Sequence, residues 1–370
     1  MCSVLIAPPF PTPPTLGRAG FRAVSQSSGV YPRPVAPAAF ARSAARVERI
    51  CDAAVDAVAL RLAVLREVRG VVPFDAHVWV LTDPETTVGA RPLAEVPPAL
   101  LPRLPELIRL KYLTPANRWT SLGAEVATLS QDDSPWQAVL RGHGVADVAS
   151  AVFKDRYGCW GFLDLWRCGG RFTTQETTYL ASLRAPLTTA LRTCVARTFD
   201  HPAAPVRGPL VLLLSPELQV LGETPETHEY LKVLVPPAEG RAPIPAGAYN
   251  VAAQLLAVEA GVDDHPPWAR AHLSDGGWVT LRAARIGTGG IAVGIEQTSP
   301  ADRLGLFTRA VGLSARESEL VTLLPGGAGT RDLAAAMHLS ENTVQDHLKS
   351  IFTKTGTRNR RTLLARALGT

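Results

Sequence analysis

The residues whose types and spacing suggest chemistry lie at the C-terminal end, and the chemistry is recognition rather than reaction. Between Thr330 and Lys354 the chain reads TRDLAAAMHLSENTVQDHLKSIFTK. Gln345, Asp346 and Lys349 fall together on one side of a predicted helix, and Val344, Leu348, Ile351 and Phe352 (i, i+4, i+7, i+8) fall on the other. An amide, a carboxylate and an ammonium on the open face of a packed helix are the donors and acceptors that reading a major groove requires. A basic run, Arg358-Asn359-Arg360-Arg361, follows the helix. From Leu313 onward there are eight basic residues, and five of them lie between Lys349 and Arg361, beside that face.

Several elements must hold this helix in place. Thr330 is positioned to cap a first helix through Met337, with Leu333, Ala334 and Met337 as its buried stripe. His338-Leu339 makes the turn, and Ser340 is a natural N-cap for the second helix, its hydroxyl accepting from a free amide. Upstream, Ser314 and Glu317 have the reciprocal spacing of a capping box and open a helix carrying Leu320, Val321, Leu323 and Leu324. That helix should stop at Pro325-Gly326-Gly327, and Gly356 should stop the reading helix. A last helix carries Leu363, Leu364 and Ala367.

Gly-Thr-Arg-Asp-Leu-Ala at 329 to 334, Leu-Ser-x-x-Thr-Val at 339 to 344, His347, Lys354-x-Gly356 and Arg360-x-x-x-Leu together resemble the four-helix LuxR-type helix-turn-helix of bacterial transcription regulators. The resemblance covers roughly 307 to 370. It implies that the third helix enters the major groove and that the fourth supports dimerisation. Carried over by position, Gln345, Asp346 and Lys349 face bases, and Thr343, Lys354, Arg358 and Arg360 touch or approach phosphates. Val344 is then core, and His347 sits near the backbone or caps the packing. Two positions depart from the family: Gln345 stands where many members are basic, and Thr355 where many are aliphatic. Asp346 repels phosphate, so it either accepts from a cytosine amino group or restrains Lys349.

The chain has 370 residues, 46% of them hydrophobic, a net charge of +5 and a pI near 9.1. That length bounds the architecture at about two to four domains, and the basic balance suits a polyanionic partner. Cys2, Cys51, Cys159, Cys168 and Cys194 form no disulfide or zinc framework by count or spacing. No signal peptide and no apolar run of membrane-spanning length is found, so the expected location is the cytoplasm, without membrane contact. P-loop, dinucleotide glycine loop, Gly-x-Ser-x-Gly and His-Glu-x-x-His patterns are missing. The histidines at 201, 228, 265 and 272 make no metal pattern. The chain is therefore expected not to be an enzyme; no metal or nucleotide cofactor is implied, and any other cofactor is unknown.

Residues 1 to about 40 are rich in Pro, Ser, Ala and Gly and are expected to form a tail without regular helix. Ala41 to Arg69 reads as one long helix, which either pairs with a second copy or packs on its own domain. Val71–Thr82 and Val88–Val96 read as strands, Pro98–Leu113 as a helix interrupted by prolines, and 117 to 130 as loops over a central pocket. Val145–Phe153 reads as a short helix or strand edge and Tyr157–Trp166 as a strand. Phe172 to Glu176 opens a closing helix that continues through Val195. This order, with Pro73-Phe74-Asp75-Ala76 and Cys159-Trp160-Gly161-Phe162, is similar to a GAF sensor domain over 41 to 200. The resemblance implies that Phe74, Trp79, Trp119, Phe153, Trp160 and Phe162 line a ligand pocket, although aromatic residues in a sheet are more often plain core.

Residues 200 to 208 read as a linker. Beyond them come two strands within Pro209–Leu221, a helix capped at Thr224–Thr227 and ending near Leu234, and a helix over Tyr249–Glu259. Strands over Trp268–Leu273, Trp278–Ala283 and Gly290–Gln297 follow, with Asp275-Gly276-Gly277 as a hairpin signal. This layout is similar to a PAS-type domain over 208 to 298. Ser299 then caps a connecting helix, 299 to 310, ahead of the helix-turn-helix at 311 to 370. The expected fold is multidomain: α+β GAF-like and PAS-like domains, then an all-α four-helix unit. The expected function is sequence-specific regulation of transcription as a homodimer on double-stranded DNA, under a small-molecule effector and with RNA polymerase as a candidate partner. The alternative is a regulator whose front domains bind no small ligand and serve as protein-docking or dimerisation modules.

Overall fold

The computed structural model describes residues 36–123, 125–129, 134–200, 210–227, 245–273, 277–287 and 289–369. Most of the Pro-rich tail, most of the 200–208 linker, most of the helix expected after Thr224 and the greater part of the hairpin at 275–277 lie outside the described residues. The chain begins with α1 (Pro37–Asp52), α2 (Ala57–Arg69), β1 (Ala76–Thr82), β2 (Gly89–Glu95), α3 (Leu104–Leu113) and α4 (Pro135–Gly142). It continues with β3 (Asp147–Asp155), β4 (Gly158–Arg167), α5 (Thr174–Ser182), α6 (Arg184–Arg197), β5 (Leu210–Leu214) and β6 (Val220–Glu223). Then come α7 (Ala246–Glu259), β7 (Trp268–His272), β8 (Trp278–Ile286) and β9 (Gly290–Gln297). The last five helices are α8 (Pro300–Ala310), α9 (Ala315–Leu323), α10 (Thr330–Met337), α11 (Glu341–Thr355) and α12 (Arg360–Leu368).

Two expected helices are each two. The helix read over 41 to 69 breaks after α1, because Asp56 turns its carboxylate onto the amides of Val58 and Ala59 and starts α2 afresh. The helix read from Phe172 to Val195 breaks at Leu183, between α5 and α6. The start of α1 also corrects the tail: Pro37 is its first residue, where the missing N–H breaks no helical bond. The apolar face of α1, including Phe40 and Val47, is buried in its own chain.

The first sheet is antiparallel in the order β2-β1-β4-β3, the second antiparallel in the order β6-β5-β9-β8-β7. α1, α2, α5 and α6 bury Trp79, Phe153, Trp160 and Leu165 on one face of the first sheet. Its other face, through Val80, Val152 and Phe162, joins the core of the second sheet. α7 fits between the two sheets, with residues Ala246 to Gln254 all buried, as expected of a helix apolar nearly all round.

Ion pairs bolt the sheets together. Arg270, on β7, donates to Asp83 from Nε (2.6 Å), Nη2 (2.8 Å) and its own amide (2.9 Å), and both side chains are fully buried. Arg118 donates to Asp263 at 2.7 Å, and Asp263 also accepts from Thr120, Gln254 and His265. Hydrogen bonds from His265 and Arg118 outweigh the burial that opposes its charge and hold the Asp263 carboxyl far below the usual range. Thr86 Oγ1 donates to the Trp268 carbonyl at 2.7 Å.

The C-terminal helices are docked on this body. α8 buries Leu304, Leu306, Phe307 and Ala310 in a core that runs from the first sheet's helices into α9 to α12. Phe199, at the end of the front region, meets Phe307 edge-on at 5.3 Å and stacks on Trp278 at 5.8 Å. Tyr157 Oη donates to Gly312 O (3.0 Å), Arg309 Nη1 to Tyr157 O (3.1 Å), and Arg366 pairs with Asp200 at 2.6 Å. Gly312 has φ 73°, the left-handed region that favours glycine, and a Cβ there would push the end of the Arg192 side chain aside.

Candidate nucleic-acid interface

α11 is built from the residues whose spacing set it apart. Ser340 Oγ accepts from the Thr343 amide at 3.1 Å, and Gly356 ends the helix at φ 65°. Val344, Leu348 and Ile351 are buried, while Phe352 is half-buried. α10 ends in His338 at φ 54°, an unusual left-handed turn for a residue with a side chain. Ser314 and Glu317 form the expected capping box at the start of α9. Leu320, Val321 and Leu324 are buried, but Leu323 is exposed.

One cap differs from expectation. α10 begins with Thr330 itself, and the Gly329 amide donates to Asp332 Oδ2 at 3.1 Å. The Thr330 hydroxyl accepts instead from Gln345 Nε2 (3.3 Å) and Arg360 Nη2 (3.0 Å), so it joins three helices.

Gln345, Asp346 and Lys349 are exposed on one face of α11, Asp346 at 75% and Lys349 at 78% of their side-chain surface. No part of the described chain covers that face. Lys349 Nζ lies 3.4 Å from Asp346 Oδ1, with both side chains largely exposed. Arg358 is exposed, and Thr343 is half-buried with its hydroxyl 2.8 Å from Ser340 Oγ. Two expected phosphate contacts are engaged within the domain. Arg360 donates to Ala328 O at 3.0 Å as well as to Thr330. Lys354 Nζ donates to Glu317 Oε2 at 2.6 Å, while keeping 37% of its side-chain surface exposed.

Glu317 has a role that sequence spacing did not reveal. Its carboxylate also accepts from Ser350 Oγ (2.6 Å) and the Ser314 amide (2.6 Å), so one buried anion ties α9 to α11. Burial opposes its charge, but the bonds from Lys354, Ser350 and Ser314 win and hold the carboxyl down at about 2. The only early signal was its place in a capping box; the partners 33 and 37 residues on carry no local signature.

The six aromatic residues assigned to a front pocket do not share one cavity. Phe74, Trp79, Phe153 and Trp160 pack under α1, α2, α5 and α6, with Trp79 and Phe153 stacked at 5.3 Å. Trp119 and Phe162 stack at 4.5 Å on the opposite face, against Tyr112 and the core of the second sheet. Alternation puts Trp79 and Phe153 opposite Phe162, and a bulge in β4, where Phe153 pairs with Gly161 and Lys154 with Cys159, leaves Trp160 as the extra residue and turns it away from Phe162 as well.

Residues 311–367 match the family model described as bacterial regulatory proteins, luxR family. A curated relative, the probable HTH-type transcriptional regulator GfsR of Streptomyces halstedii, is 37% identical over 90 residues, or 24% of this chain and 34% of the relative. The chain thus spans about a third of that relative's length. Among solved structures, Escherichia coli SdiA superposes over 90% of this chain and 97% of its own at 13% identity and a TM-score of 0.35. A Vibrio cholerae VqmA–ligand–DNA complex superposes over 44% and 81% at 20% identity and a TM-score of 0.19. Superpositions this loose do not establish a common fold. Among the described residues no helix is long and apolar enough to cross a membrane.

Proposed function

We propose, from the premise that residues 311–367 are a LuxR-family helix-turn-helix domain, that the chain is a sequence-specific DNA-binding regulator of transcription. The observation that carries this reading is α11, whose buried face fixes it in the domain and whose opposite face offers Gln345, Asp346 and Lys349 to solvent. Arg358 and the free flank of Lys354 supply charge for the adjacent phosphates, while Thr330 and Arg360 set the angle between α10, α11 and α12. The active form is a homodimer whose two α11 helices meet successive major grooves of an inverted repeat.

Residues 41–200 and 208–298 act as the GAF-like and PAS-like regulatory region, with 299–310 as the connection. Because the reading face is open within one chain, the front region acts by setting the spacing of two such faces, or by contact with polymerase, and not by covering α11. A small effector suits the GAF-like and PAS-like layouts. The dispersal of the six aromatics over two packed faces favours the second reading for the front sheet, a docking or dimerisation module.

The test is binding of the full chain to the promoter upstream of its own gene, by band shift across a salt series, with mass in the complex read by sedimentation. The expected result is a dimer on a duplex of defined sequence, with log K falling linearly in log salt. Equal affinity for every duplex, or no binding by folded protein, refutes the sequence-specific reading. A monomer on the operator refutes the dimer.

A further inference from the structure

We infer that the open face of the second sheet, across β5, β9 and β8, is where the chain pairs with a second copy of itself. This rests on the homodimer reading above and gives it an interface. Strand alternation assigns the two faces. Leu212, Leu281, Val293 and Ile295 are buried in the core of the second sheet. Their neighbours Val211, Leu213, Ala284, Ile286, Ala292 and Gly294 point the other way. The pairs Val211 with Gly294, Leu213 with Ala292 and Ala284 with Ala292 set them side by side on one surface. Ala284 and Ile286 are exposed there, and the other four are half-buried. A methyl group at Gly294, or at Gly222 of β6, would meet nothing within 4 Å, so no described part of the chain overlies the middle of this face.

Three observations select a second copy as the occupant. The first is where apolar surface remains. The stripe of α1 that could have paired with another chain is buried in its own. Of the five large hydrophobic side chains exposed among the described residues, three, Val220, Leu221 and Ile286, lie at one end of this sheet. Val220 pairs with Leu214, Leu214 with Ile291 and Ile291 with Arg285, which brings them to that end. Clustered apolar surface of this kind marks association. The second is shape. Alanine and glycine along β9 keep the face flat between β5 and β8, and a strand-interior glycine such as Gly294 suits the close approach of another backbone. Two such sheets pack face to face about 10 Å apart. The third is charge. Arg282 and Glu296 lie 3.2 Å apart at the margin of this face, with 46% and 65% of their side chains exposed, and Asp302 is 3.6 Å from Arg282. A two-fold interface is isologous, so each copy must offer what the other needs. An exposed base beside an exposed acid meets that condition, since Arg282 of each copy can face Glu296 of the other. A partner of one charge sign would meet its like here.

Association is measured on the full chain without DNA by sedimentation equilibrium, with the thermal unfolding midpoint read alongside. Wild type is expected to be a dimer. Gly294→Glu sets a charge in the middle of the face, where there is room for it. It is expected to fold with a midpoint close to wild type and to raise the dimer dissociation constant at least tenfold. Arg282→Glu leaves only acids at the margin, and Glu296→Arg sets two bases there. Each alone is expected to weaken the dimer several-fold, and an equimolar mixture of the two to restore it. Neither chain in that mixture keeps a 282–296 pair of its own, so the recovery reads contact between copies. These two variants also serve if Gly294→Glu does not fold. A dimer that the variants leave unchanged, or a mixture no tighter than either variant alone, overturns this face while the homodimer reading stands, and leaves the face to a different protein. Wild type that is monomeric without DNA overturns the inference, and wild type that is monomeric on its operator as well overturns the homodimer reading too.

Discussion

Replacing Glu317 by Gln tests how α11 is held. The change keeps the shape of the side chain but removes its charge and turns an amide donor toward Lys354, whose Nζ sits 2.6 Å from Oε2. A carboxyl that titrates at 4.5 in the open chain and at about 2 in the fold is stabilised by about 3 kcal/mol at neutral pH. Two or three charge-assisted bonds at about 1.5–3 kcal/mol each, discounted because they share one carboxylate, give a similar figure. Because the folded value is the lower one, this contribution is complete above pH 4.5 and is lost as pH falls through 2. At pH 3 less than half of it should remain. Urea unfolding of the full chain, followed by helix signal, should therefore place Glu317→Gln about 1 M below wild type at pH 7 if m is about 3 kcal/mol per M. The gap should narrow by half or more at pH 3. A loss under about 1 kcal/mol at pH 7, or a gap that does not change with pH, refutes the role of the charge.

Three further outcomes follow from the same structure. Asp83→Ala leaves the buried Arg270 without its main counter-charge and should cost about 3–5 kcal/mol in urea unfolding, while Glu85→Ala, whose carboxylate is 45% exposed, should cost under about 1; equal costs refute the assignment. Lys349→Ala should relax base preference at one operator position, whereas Arg358→Ala should weaken all duplexes alike and flatten the salt slope by about 1, measured by band shift over salt and sequence variants. Leu348→Ala, at a side chain 3% exposed, should cost about 2–5 kcal/mol by thermal or urea unfolding and reduce specific and non-specific DNA binding together.

The C-terminal helical domain was legible in the sequence because its signals are local. Ser314 with Glu317, Ser340 before α11, and Gly356 after it each act within one helical turn, and each does what its spacing predicts. Strands β7 to β9 also fall close to where they were expected. The broken helices were not, since Val55 and its neighbours continue the apolar pattern while Asp56, three residues before Ala59, recaps the backbone. Trp79 and Phe153 face away from Phe162 by ordinary strand alternation, and one extra residue in β4 turns Trp160 to their side, so the six aromatics do not meet. Thr330 looked like a cap because its type suits one. It faces Gln345 and Arg360 because two distant helices arrive there.

The continuous core through α8 sets where this protein can be cut and rejoined. Leu304, Leu306, Phe307 and Ala310 lie in one buried cluster with residues of the front helices and of the C-terminal ones, and Phe199 reaches into it. A chimera joined at residue 299 would carry half of that cluster and present its apolar half to water, where about 25 cal/mol per Å² opposes exposure. On the proposed reading, exchange of DNA-binding specificity is better confined to the outer face of α11, at Gln345, Asp346 and Lys349, because those side chains are exposed and leave the shared core untouched.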